Sequence, residues 1–118
     1  MPNLMPTDIK PEVLAVLRAA ATGRGEVPRF LTSYQILARL SEPTRTRLMA
    51  ERGNAGAGGG QNFGPATVVA KAGELLKGDQ LVRIEYWDTG GVTFSIAGQP
   101  DAPASFAICA IFQAIPEE

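Results

Sequence analysis

Residues 51–67 read ERGNAGAGGGQNFGPAT, with six glycines between Glu51 and Thr67. Phosphate-cradling loops have such a composition. A P-loop needs a lysine to reach the β- and γ-phosphates and a hydroxyl to hold magnesium directly after its last glycine. Gly59 and Gly64 have the required separation, but Pro65 and Ala66 follow, so both chemical groups are missing. A dinucleotide fingerprint needs a strand before its glycines, and here a basic helical segment precedes them. The backbone N–H groups of a helix start could still hold an anion. A Gly-rich polar stretch is more often a solvated connection, and 53–64 is read as a loop of that kind.

Nucleophilic chemistry has little to draw on. The chain contains no histidine and one cysteine, Cys109. That removes Ser-His-Asp and Cys-His pairs and the usual general base near neutral pH. It also leaves no ligand set for structural zinc and no internal disulfide. Cys109 lies inside the apolar run FAICAIF, where a packed, inert thiol is expected. The sequence therefore points away from an enzyme, a metal or a cofactor.

The remaining chemistry is charge. Residues 18–53 hold seven Arg against three Glu, whereas residues 78–118 hold one Arg against six acids, although the net charge is only −1. Such polarity permits a basic face for nucleic acid. It equally permits protein partners of opposite sign. With 118 residues, 45% hydrophobic and 19% charged, one domain with a single core is expected. No apolar run is long enough to span a bilayer, and the N-terminus MPNLMPTDIK lacks an export signal, so a cytoplasmic location is expected.

These residues need elements to position them. Residues 1–7 are read as a flexible arm. In PEVLAVLRAAATG, Val13, Leu14, Val16, Leu17, Ala20 and Ala21 fall at helical spacing, with Pro11 in the first turn and Gly23 as the stop. In FLTSYQILARL, Thr32 and Gln35 form a capping box, flanked by Leu31 and Ile36 as a hydrophobic staple. Ser41 caps a third helix, EPTRTRLMAERG, with Pro43 in its first turn and Gly53 at its end. GPATVVAKAGELLKG is a fourth, with Val68, Val69, Ala72, Leu75 and Leu76 on one face and Gly78 closing it. Gly73 within it costs helix stability and permits close packing.

The period then changes to two. Val82, Ile84 and Tyr86 alternate with Arg83, Glu85 and Trp87, DTGG turns, and Val92, Phe94 and Ile96 return, which predicts a hairpin. Tyr86 and Trp87 point to opposite faces, so one core and one surface aromatic are expected. The run SFAICAIFQAI fits a strand covered on both faces or a short buried helix, and the strand is chosen. At a sheet edge such a strand could pair two copies into a homodimer. The fold class predicted is α+β: four N-terminal helices followed by a small antiparallel sheet, in one domain over 8–113, with a flexible tail at 114–118.

Three helices, a loop, a fourth helix and a hairpin form an order that resembles the winged-helix form of the helix-turn-helix family. In that resemblance TSYQILARL is the positioning helix, GPATVVAKAGELL the recognition helix and VRIEYWDTGGVTFSI the wing, with Asp88, Thr89, Gly90 and Gly91 at its tip. A second register pairs TSYQILARL with EPTRTRLMAERG and presents arginines to solvent. The resemblance implies a small DNA-binding regulatory or accessory protein. Its phosphate contacts would be Arg39, Arg45, Arg47 and Arg52, and its groove contacts Thr67 and Lys71. The alternative is a non-catalytic protein-interaction or assembly module of the same fold, for which Arg45 and Arg47 would be a solvated face balancing Glu42 and Glu51.

Overall fold

A computed structural model of the chain describes residues 4–21, 29–52, 65–88, 93–94, 102–103 and 108–115. Four helices precede most of the strand structure: α1 (Pro6–Ala21), α2 (Ser33–Arg39), α3 (Glu42–Arg52) and α4 (Pro65–Gly78). The strands are β1 (Leu31–Thr32), β2 (Val82–Asp88), β3 (Thr93–Phe94), β4 (Ala102–Pro103) and β5 (Ile108–Ala114). The class is α+β, as the sequence predicts. The glycine-rich segment 53–64 and the turn residues Thr89, Gly90 and Gly91 lie outside the described residues.

The sheet runs in the order β1-β5-β2, all antiparallel. β5 therefore occupies the centre, which suits a strand apolar on both parities. Phe112 stands opposite Leu31 on one side and Ile84 on the other. It is fully buried and heads the largest buried side chains. Across the pair, Val82, Ile84, Phe112 and Ala114 share one face, and α4 lies against it: Gly73 packs on the Phe112 ring. α1 contributes Ile9, Val13 and Leu17, α2 contributes Ile36 and Leu37 with Leu40 at its C-cap, and α3 contributes Leu48.

α2 starts as the sequence requires. The Thr32 side chain accepts from Gln35 N–H at 3.2 Å, and the Gln35 side chain accepts from Thr32 N–H at 2.8 Å. Leu31 and Ile36, at the staple positions, are both buried. What propensity did not show is that Leu31 and Thr32 also form a short strand.

Four expectations need correction. The first concerns the arm and α1: the helix begins at Pro6, so Pro11 is inside it. Pro6 is the better first-turn proline, because Asp8 Oδ2 accepts from Met5 N–H at 2.8 Å and caps the start. Pro11 is exposed there, as is Thr7, whose carbonyl it leaves for water. The second concerns the hairpin: β2 pairs with β5 along its whole length, from Val82 opposite Ala114 to Asp88 opposite Ile108, while β3 pairs with β4. A turn signal is local, and the burial of Phe112 and Ala114 beside Val82 outweighs it.

The third concerns the C-terminal tail: β5 is flanked by β1 at Ile111 and Phe112 and by β2 along its whole length, its last residue, Ala114, is buried, and Ile115 N–H donates to Leu81 O at 3.0 Å. Residues 114 and 115 thus belong to the domain, not to a tail. The fourth concerns the end of α4. Leu81 N–H donates to Leu76 O and Gln80 N–H to Lys77 O, and Gln80 has φ 63°. That is a Schellman motif with Gln80, not Gly78, in the left-handed position.

Candidate nucleic-acid interface

The four candidate arginines sit at the end of α2 and along α3, and the fold uses them unequally. α2 is seven residues long and ends at Leu40 without a glycine, so its last carbonyls need donors. Arg45 supplies them. Its Nη1 donates to Ala38 O at 3.2 Å and to Leu40 O at 2.9 Å. The guanidinium is thereby a cap for the preceding helix and half-buried.

Arg52 is tied to the other end of the molecule. Its Nη2 donates to Leu4 O at 2.9 Å, while Glu51 Oε1 accepts from Leu4 N–H at 2.7 Å. The two side chains clamp the backbone of Leu4 from both polar sides and anchor the start of α1 to the end of α3. This is why residues 4–7 do not behave as the arm expected from their composition. Arg47 donates to Glu51 Oε2 at 2.7 Å, an i,i+4 ion pair with the arginine side chain about a third exposed. Burial alone would raise the Glu51 carboxyl; the Leu4 bond, the Arg47 bond and the charges of Arg47 and Arg52 together bring it below its usual value.

The expectation that these arginines stand in solvent is thus corrected for Arg45, Arg47 and Arg52. Arg39 alone of the four is exposed. Nothing in the sequence marks Arg45 and Arg52 as engaged, because their acceptors are backbone carbonyls, one of them 48 positions away, whereas the i,i+4 pair of Arg47 with Glu51 is the charge balance that the alternative reading expects.

Glu12 was not singled out by sequence reasoning, yet it organises the start of α3 from a different helix. Its carboxylate accepts from Ser41 N–H at 2.6 Å and from the Thr44 hydroxyl at 2.7 Å. Ser41, expected to cap α3, directs its own hydroxyl to Thr44 Oγ1 at 3.0 Å. Partial burial raises the Glu12 carboxyl, but the bonds from Thr44 and Ser41 outweigh it and the net direction is down.

On α4, Val68, Val69, Ala72 and Leu76 face the core, so the helix turns Thr67, Ala70, Lys71, Glu74 and Lys77 the other way. Thr67 and Lys71 are half-buried, and Glu74 and Lys77 are exposed. The outer stripe is of mixed sign.

On the sheet, Asp88 is the exposed last residue of β2. Tyr86 and Trp87 are 72% and 45% exposed, so neither is core. Tyr86 shares the parity of the buried Val82, and its exposure means that β2 runs past the helical layer.

Among the described residues no group of three or more His, Cys, Asp or Glu could hold a metal, and no helix is long and apolar enough to cross a membrane. No protein-family model, no curated protein and no solved structure matches the chain.

Proposed function

We propose that the protein binds double-stranded DNA as a small, non-catalytic regulatory or accessory factor in the cytoplasm, in the manner of a winged helix. The observation that carries this reading is the arrangement of elements. α2 is followed by α3 and α4, and α4 by β2, which forms an antiparallel pair with β5. The wing on this reading begins with β2, whose last residue is Asp88.

The contact set is smaller than the sequence implied. Arg39 and the exposed part of Arg47 meet phosphates, and Thr67, Lys71 and Lys77 present the outer stripe of α4 to the groove. Arg45 and Arg52 hold helices in place and act on DNA only through that.

Counterion release gives the test its scale. Four cationic contacts make log K fall with log salt at a slope of roughly 3–4. Fluorescence anisotropy of a labelled duplex should therefore show binding at about 50 mM salt that weakens on the order of a hundredfold by about 200 mM. Arg39→Ala should lower the slope by about 0.9. Absence of binding at the lower salt defeats the reading.

A second reading, a protein-interaction or assembly module, is favoured by a different observation: two large aromatics, Tyr86 and Trp87, stand exposed at consecutive positions of β2, one on each face of the sheet. Aromatics at such positions are typical interface anchors. A duplex that fails to bind, together with a partner lost on Trp87→Ala, would select this reading.

A further inference from the structure

β2 is the outer strand of the sheet, and among the described residues its only strand neighbour is β5. The direction of its free backbone groups is fixed by one bond. Ile115 N–H donates to Leu81 O at 3.0 Å, and these two residues continue the register that sets Val82 opposite Ala114. In an antiparallel ladder the polar groups of alternate residues point to alternate sides. Leu81 therefore turns its C=O, and Arg83, Glu85 and Trp87 their N–H and C=O groups, towards β5. Val82, Ile84 and Tyr86 turn theirs to the side that no described strand covers.

We propose that this edge pairs antiparallel with the same strand of a second copy, about a twofold axis at Ile84. Backbone parity admits only registers in which these outward-directed residues meet one another. With Ile84 opposite itself, Val82 and Tyr86 of the second copy exchange both backbone bonds, and Arg83 lies directly opposite Glu85 of the second copy. By symmetry the same charge pair forms twice. Sliding the strand by two residues sets Glu85 against Glu85 in one direction and Arg83 against Arg83 in the other. Like charges directly opposite destabilise a strand pair. Electrostatics thus selects one register.

That register also accounts for the exposed aromatics. Tyr86 comes beside Val82 of the second copy, and Trp87 comes opposite its half-buried Leu81. Open edges are usually blunted by charge, but an Arg-x-Glu pattern centred on a twofold axis is complementary to itself. The interface is isologous, joins two sheets into one continuous sheet, and stands or falls separately from the DNA reading.

The test is the mass of the full chain by sedimentation equilibrium across a wide concentration range, with no nucleic acid present. The expected limit is twice the 12.5 kDa of the chain. Arg83 and Glu85 are exposed, so reversing either leaves the core intact. Arg83→Glu or Glu85→Arg alone should weaken association about tenfold or more, and the double exchange Arg83→Glu/Glu85→Arg should restore it. A monomer at every concentration overturns the proposal. So does a dimer indifferent to both reversals, or a double variant that stays as weak as the single ones.

Discussion

A methyl group added at Gly73 probes the packing on which the fold rests. The new Cβ would lie 2.5 Å and 2.6 Å from two ring carbons of Phe112, about 1 Å inside ordinary contact. The ring has nowhere to go, because Phe112 is fully buried on the central strand between β1 and β2. Overpacking of this kind costs about 1–3 kcal/mol, and a rigid neighbour places it in the upper half of that range. Replacing a helical glycine by alanine returns about 1 kcal/mol. The net expectation is a loss of about 1–2 kcal/mol, or a fall in Tm of roughly 5–10 °C at this chain length.

Thermal unfolding followed by circular dichroism reads the effect, with a control in the same helix. Gly78 has nothing within 4 Å of its added Cβ, so Gly78→Ala should raise Tm. Combining Gly73→Ala with Phe112→Leu should cost at least about 1 kcal/mol less than the sum of the single changes, since the methyl enters the space the ring vacates. If Gly73→Ala raised Tm as Gly78→Ala does, the close approach of α4 to β5 would be refuted.

The other expectations follow the polar contacts. Arg45→Ala should destabilise by about 1–2 kcal/mol, because it strips the donors from the Ala38 and Leu40 carbonyls, whereas Arg47→Ala should change stability by under about 0.5 kcal/mol; chemical denaturation compares the two. Gln80→Gly should stabilise by up to about 1 kcal/mol by relieving the positive φ, read as a rise in Tm. Glu12 has a native pKa below its ordinary 4.5. Its contribution is therefore complete above that pH and is lost as pH falls through the lowered native value. Tm of Glu12→Gln should fall less steeply than that of the native chain in acid below 4.5.

Much of the fold was legible where the signal was local. The T-x-x-Q of Thr32 and Gln35, the apolar face of Val68 to Leu76 and the doubly apolar run at Ile108 to Ala114 each specify their own element. Pairing was not legible, because the DTGG turn advertises a neighbour in sequence, whereas β2 pairs with the strand that buries Phe112. The arginines were least legible of all. Arg39 and Arg45 look alike in composition, and only the carbonyls at the end of α2 separate an exposed cation from a cap. The pairing of Leu4 with Glu51 and Arg52 is equally invisible, because contacts between residues so far apart in sequence leave no periodic trace.

The most direct test of the DNA reading is a titration of isotopically labelled protein with a short duplex at low salt, followed by amide NMR shifts. The predicted result is a contiguous set of shifts at the end of α2 around Arg39 and along the outer stripe of α4 from Thr67 to Lys77, vanishing as salt rises. Shifts confined to β2, or none at all, would contradict it.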